Sequence, residues 1–464
     1  MRDKIIIFII VFCMVSTGTI ISAEKIKIRD SENDFNKTYS IGDEDTIVSM
    51  LEQLNQDMML GYIEDLVEIA ERHDKSRLTG TEGCEEGRDY IVNEFFEMGI
   101  STDIYDWADV GIIPPYKHLL FVSKNIEATI PGKQDSEEIF VLMAHYDTTA
   151  ITPSADDNSA GVAAVLSAAK ILSQYEFNQE IRFLLVSGEE EGLLGSNSYA
   201  INSYETCESI VTVINLDMIG HSSPDIEGDE NLVRVYETCS ETITNDVIDI
   251  CNNPSYSPYI NFEVVSSDDD TGHGSDQRSF CNHGFDSIFI HEYTWNDNKD
   301  RGTDTIENMD VEYATRVAKL AMAVVAKLAL EPVIDNVAPQ PPGKVEGPEE
   351  SKINEELEYK TSTIDPDGDQ VYYMFDWGDD THSQWLGPYN SGETCIAEHT
   401  YTEQGQYRVK AKSKDIHGIQ STWRQSEKNN GKNIVLEKLF HGYPVIYNII
   451  NKIMSMVHLY EDRL

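Results

Sequence analysis

EIFVLMAH, residues 138–145, sets six apolar residues in a row between a glutamate and a histidine. A run of that length without alternation fits a strand covered on both faces, as in the middle of a parallel sheet. EIRFLLVS (180–187), SIVTVINLD (209–217) and DSIFIHEY (286–293) have the same character. Between the first two lies SAGVAAVLSAAKILSQY (159–175), an alanine-rich helix, and VEYATRVAKLAMAVVAKLAL (311–330) reads as a closing helix. Apolar strands alternating with helices predict an α/β domain with a mostly parallel sheet sandwiched by helices. Upstream, apolar residues from Ile47 to His73 recur at helical spacing, and a second helical stretch, EEGRDYIVNEFFEMG, follows the glycine-bearing loop RLTGTEG.

In such sheets ligands bind beyond the carboxyl ends of the strands. After the first strand come His145, Tyr146 and Asp147, then SADDNSAG at the head of the helix. After the second come Glu189, Glu190 and Glu191, and after the third Asp217. Each piece has an ordinary explanation. A histidine and an aspartate two apart are commonly a polar pair, ADDN is a good helix cap, and GEEEG a good solvated turn. Converging on one sheet edge they are harder to dismiss, because so much negative charge cannot collect in a cleft without a partner. A pair of divalent cations is the natural partner: imidazole and carboxylate suit zinc, with manganese or cobalt as alternatives. Two ions need a bridging carboxylate, and a free carboxylate to move protons.

AHYD, SADDNSAG, SGEEEGLLGS, NLDMIG, HGSDQRSF and TDTIENMD, in this order, resemble the co-catalytic zinc aminopeptidases of clan MH, of the bacterial leucyl aminopeptidase and aminopeptidase Y type. The resemblance runs from about Leu60 to Leu330 and implies the zinc-exopeptidase fold. It implies that His145 and Asp217 hold one ion, Glu190 the other, and that Asp156 bridges both. It places Asp147 behind His145, fixing its ring, and makes Glu189 the general base and acid. Glu191 has no role in the family pattern and is expected to be solvated. Asp276, in HGSDQ, is a candidate for lining the end that receives the substrate amine, or a structural residue.

One position departs from the family. Members commonly carry a last metal-binding histidine in a stretch like YHTPDDT, and here the sequence is NDNKDRGTDT. Counting from Asp304-Thr305 puts Asp300 at the histidine position and Lys299 at the aromatic before it. Asp300 as a substitute ligand, His291 or His273 as replacements, and a weak or lost second ion remain open alternatives.

The 464 residues carry 82 acidic and 35 basic side chains, a formal charge of −47 that argues against nucleic acid as a partner. Residues 1–23 read as a secretory signal, or else an uncleaved anchor, so the body is expected to be secreted. Of seven cysteines Cys13 lies in that segment, and the other six are even in number and show no CxxC spacing. Residues 24–45 are polar, 46–331 form the peptidase domain, and 332–338 belong to a proline- and acid-rich linker. Residues 339–436 alternate in short strands, and WGDDT followed by YRVKA resembles a polycystic kidney disease (PKD) type β-sandwich. Its DPDGD reads as a tight turn or a calcium loop. Residues 437–464 form an amphipathic helix, expected to pack on protein. Membrane contact is expected only through an uncleaved signal or this helix. The partners are then peptides with a free N-terminus. An inactive binding or adhesion protein, or a single-metal cyclase or carboxypeptidase, are the alternatives.

Overall fold

The computed structural model describes residues 44–423, apart from 134–137, 237–239, 268–273, 332–335, 349–351, 380 and 406. The signal segment, His273 and the C-terminal amphipathic helix lie outside the described residues. Two helices open the fold, α1 (Glu44–Gln53) and α2 (Gln56–Arg72). The single helical stretch expected from Ile47 to His73 is broken because Asn55 caps α2, its side chain accepting from the Met58 N–H. Helix α3 (Glu82–Glu97) follows, capped by Thr81.

An eight-stranded sheet is built from β1 (Ser101–Val110), β2 (Leu120–Ile130), β3 (Ile139–His145), β4 (Glu180–Val186), β5 (Ile210–Leu216), β6 (Leu232–Tyr236), β7 (Glu263–Ser267) and β8 (Ser287–Glu292). Its spatial order is β1-β2-β4-β3-β5-β8-β6-β7. The four strands β4-β3-β5-β8 are mutually parallel and carry the four apolar runs. An antiparallel β1–β2 pair extends one side, and a β6–β7 pair, antiparallel to β8, extends the other. These four flanking strands are absent from the sequence reading. STDIYDWADV of β1 is largely half-buried or exposed and rich in acids, so no continuous apolar run marks it.

Alternation inside the runs divides the core. Phe140, Leu142 and Ala144 of β3 join a cluster under α4 (Gly161–Leu172) and α8 (Val311–Leu330). Ile139, Val141 and Met143 point the other way, toward α5 (Leu194–Thr206) and Phe280 of the short α7 (Gln277–Cys281), while α6 (Glu241–Asn252) packs on α8. Among the described residues no helix is long and apolar enough to cross a membrane.

The second unit of the fold is a small antiparallel β module. Strands β9 (Glu356–Ser362) and β12 (Thr394–Thr400) pair in one sheet; β10 (Val371–Asp376), β11 (Leu386–Tyr389) and β13 (Lys410–Asp415) form another. Tyr359, Tyr373, Phe375, Trp377 and Tyr401 fill the space between them. DPDGD is a turn in which Asp365 Oδ1 accepts the amides of Asp367 and Asp369. The module docks at the amino ends of the parallel strands: Lys414 pairs with Asp286 at 3.3 Å and the Trp385 indole donates to the Gly284 carbonyl. Lys412 is buried there among the rings of Tyr204, Phe285, Trp385 and Trp423, and donates to Gln420. Burial pushes its pKa down to about 7. Cys84, Cys207, Cys251 and Cys395 carry free thiols.

One buried cation ties the front of the larger domain together. Arg77, in the RLTGTEG loop, is fully buried and donates to the carbonyls of Tyr146 and Leu66 and to Ser159 Oγ. Burial lowers its pKa to about 10, and the surrounding carboxylates Asp147, Asp304 and Asp157 resist that, so it keeps its charge at neutral pH. Arg77→Met removes all three donors and leaves the acceptors buried, and is expected to cost about 3 kcal/mol of unfolding free energy, measured by urea denaturation.

Candidate metal centre

All four parallel strands have acid or imidazole at or just past their ends, and the fourth, closing on His291 and Glu292, leads into the loop that carries Lys299 and Asp300. His145 closes β3, Glu189 and Glu190 follow β4, and Asp217 follows β5. The Nε2 of His145 lies 3.3 Å from Asp157 Oδ1 and 3.4 Å from Asp217 Oδ1. Ligand atoms of His145, Asp157 and Asp217 all fall within 4.8 Å of one another, and so do those of Asp157, Glu190 and Asp300. Asp157 is the member common to both sets, which is the position of a bridging carboxylate.

The sequence reading assigned that bridge to Asp156, and the geometry corrects it by one residue. Asp156 is turned to the opposite side of the 155–160 turn, where its Oδ1 accepts the Gly220 amide and its Oδ2 the Asn296 amide, both at 2.7 Å. With both oxygens already used, it faces away from His145. The turn that separates the two acids is held from outside. Asp304 accepts the amides of Asp156 and Asp157, one on each oxygen, and Asn158 bridges the Leu216 carbonyl and the Gly161 amide. Gly161 has no room for a side chain: a Cβ there would lie 2.2 Å from Asn158 Oδ1 and 2.6 Å from the Leu216 carbonyl.

Asp147 lies behind His145. The ring Nδ1 is 3.2 Å from the Asp147 backbone carbonyl and 3.6 Å from its carboxylate. That carboxylate accepts the Glu189 and Glu190 amides at 3.4 Å and the Thr79 hydroxyl at 3.1 Å, so one side chain ties the β3 end to the β4 end. Asp217 keeps Oδ2 on the Ser275 hydroxyl and leaves Oδ1 toward His145. Glu191 is fully buried, against the expectation of a solvated side chain, because its backbone turns inward and its carbonyl accepts the Ile112 amide. Burial and then the Asp147 carboxylate push its pKa up to about 8. Asp276 is also fully buried, its carboxyl raised to about 7 chiefly by desolvation. His291 belongs to neither set: its Nδ1 faces the Glu292 carbonyl and its ring stacks on Trp295. Lys299 enters the site, its ammonium 3.0 Å from Asp157 Oδ2.

The electrostatics are those of a site lacking positive charge. Burial opposes a charged His145, yet the carboxylates of Asp217, Asp147 and Asp157 outweigh it and hold its pKa well above the ordinary range. Burial, then Asp157 and Glu189, drive Glu190 far upward. Burial also raises Glu189 strongly, with His145 opposing and Asp217 and Asp276 adding to the rise. His145 Nε2, both oxygens of Asp157, Glu190 Oε1 and Asp217 Oδ1 are buried without a conventional hydrogen bond; His145 meets Asp157 and Asp217, and Lys299 meets Asp157, only as ion pairs. Buried polar atoms are rarely left so. They point into the same two clusters, so the residues present fit a divalent pair. An imidazole with two carboxylates suits zinc, and an all-carboxylate set suits a harder ion such as manganese.

A cavity of about 1420 Å³ lies elsewhere, at the junction of the sheet's amino ends with the β module, lined by residues such as Glu138, Val211, His283, Trp385 and Lys414. None of the clustered ligand atoms reaches it. The two adjacent acids should separate in metal content: Asp157→Asn is expected to lower zinc affinity about 100-fold, and Asp156→Asn by about tenfold. Elemental analysis after dialysis against buffered zinc reads the difference, and equal losses would return the bridge to an undecided pair.

Residues 125–325 match the model of Peptidase family M28. A probable zinc metalloprotease of Pyrenophora tritici-repentis is 26% identical over 339 residues, covering 62% of this chain and 77% of the relative. One of the same description from Pyricularia oryzae is 28% identical over 323 residues, covering 58% and 63%. Among solved structures, the LapA aminopeptidase of Legionella pneumophila superposes with a TM-score of 0.53 at 20% identity, over 68% of this chain and 83% of that one. An aminopeptidase from Aneurinibacillus sp. strain AM-1 gives 0.50 at 15% identity, over 62% and 98%. At these identities the structural likeness speaks for the fold, a large mixed sheet flanked by helices.

Proposed function

We propose that this chain, which carries an M28-type peptidase domain across residues 125–325, is a secreted metallo-aminopeptidase that removes residues from the free N-terminus of peptides. The observation that carries the reading is the clustering of buried ligand atoms of His145, Asp157, Asp217 and Glu190 that make no conventional hydrogen bond, with Glu189 on the same loop as Glu190. Divalent ions held there, zinc first, supply polarisation of a carbonyl and a water of lowered pKa.

The chain's own residues do the rest. Glu189 is half-buried while its neighbours are buried, so it meets both the cluster and the cleft. With its pKa drawn upward by burial it takes a proton from the attacking water and returns it to the leaving amine. Asp147 holds the ring of His145 and the amides of Glu189 and Glu190 in one frame, which fixes base against ligand. The unspent negative charge of the site favours a substrate presenting an ammonium group over one presenting a carboxylate. A carboxypeptidase would need a cation free for its substrate, and the lysine at the site is already paired with Asp157. The β module, at the opposite edge of the sheet, is read as a PKD-type spacer or adhesive unit.

Glu189→Gln keeps the shape of the side chain and removes its proton traffic. Turnover of aminoacyl chromogenic substrates is expected to fall about 10²–10⁴-fold with bound metal unchanged. Retained activity in that variant would take the base role from Glu189. Equal hydrolysis of N-acetylated and free peptides would refute the aminopeptidase reading.

A further inference from the structure

Lys299 is the group that this chemistry does not use. It lies on the loop following β8, next to Asp300, with its side chain 26% exposed and its ammonium 5.4 Å above the Trp295 ring. The two oxygens of Asp157 face different neighbours. Oδ1 faces His145, within the imidazole set, whereas Oδ2 faces Lys299 at 3.0 Å. Oδ2 is therefore the oxygen left to serve the other set, whose further members Glu190 and Asp300 are both carboxylates. Three carboxylates within 4.8 Å require positive charge, and the chain itself brings an ammonium to the oxygen they share. A divalent ion entering that set must displace Lys299 from Asp157 or stand beside it against like-charge repulsion. In the imidazole set Lys299 makes no direct pair: its one close contact is the far oxygen of Asp157, and it reaches Asp217 only through its longer-range field.

We propose that Lys299 is a tethered cation for the all-carboxylate half of the centre. The protein then holds one divalent ion tightly, at His145, Asp157 and Asp217. A second ion binds at Asp157, Glu190 and Asp300 only when the Lys299–Asp157 pair opens. The proposal rests on the metallopeptidase reading and adds to it which half of the centre the chain occupies with its own charge. Lys299 acts here as a positioning residue, holding Asp157 in place of an ion.

The test is metal stoichiometry of the full chain. Protein stripped with a chelator is titrated with zinc, and bound ions are counted by elemental analysis and calorimetry. Wild type is expected to bind one ion tightly and a second at least tenfold more weakly. Lys299→Met, close in length and without charge, is expected to bind two, the second gaining tenfold or more in affinity. Lys299→Arg is expected to keep the one-ion pattern, and Asp300→Asn placed in the Lys299→Met background to lose the gained ion. Circular dichroism confirms that each variant folds, and if Lys299→Met does not, the wild-type and Lys299→Arg stoichiometries still decide. Two ions of equal affinity in wild type, or no gain in folded Lys299→Met, overturn the proposal and leave the peptidase reading standing. No tightly bound ion in wild type overturns the metal centre itself.

Discussion

Everything at this site follows from carboxylates brought closer together than their charges tolerate. Four parallel strands end at one edge; three of them deliver His145, Glu190 and Asp217 to the clusters, the loop after the fourth adds Asp300, and Asp157 is inserted from the helix-bearing turn between β3 and β4. The folded chain bears that repulsion because the framework is fixed independently. Asp147 ties two strand ends, Asp304 holds the 155–160 turn, and Arg77 fastens the loop beneath. Each of these contacts uses backbone amides or carbonyls, which cannot titrate or swing away. The clustered carboxylates exceed the positive charge that His145 and Lys299 bring to them, and that excess is what a divalent ion would neutralise.

The four central strands and the closing helix were legible because burial on both faces leaves few polar residues in each strand run and a long apolar face on the helix. The same physics hid β1, β2, β6 and β7, which lie toward the sheet's edges and carry mixed sequences. At the site, His145, Glu190, Asp217 and Asp300 are brought together from the residues singled out in sequence, with Glu189 next to Glu190 in the chain. Asp156 and Asp157 could not be told apart, since both are acidic, adjacent and fully or nearly buried. What separates them is the direction of one backbone turn, set by Asp304 and Asn158 from far along the chain and from the same turn. Glu191 shows the converse: three like residues in a row suggest a solvated face, and a left-handed glycine on either side, Gly188 and Gly192, instead folds the loop inward.

The β module meets the larger domain at the amino ends of the parallel strands, so the contacts through Lys414, Trp385 and Lys412 stand a full strand length away from the clustered ligands. Extra chain attached there leaves the cleft open. Lys412 makes the contact more than incidental, because an amine enclosed by four rings has no place on the surface of an independent module.

The two amides that Asp304 receives belong to residues 148 and 147 positions earlier in the chain. During synthesis the 155–160 turn and the strand that bears His145 are made long before the carboxylate that shapes them. A nascent chain that stops short of Asp304 has most of the sheet and most of the ligands, yet Asp157 has no anchor. The clustered arrangement of ligands is therefore complete only once the chain reaches Asp304, so the centre is one of the last parts of the domain that can take its final shape.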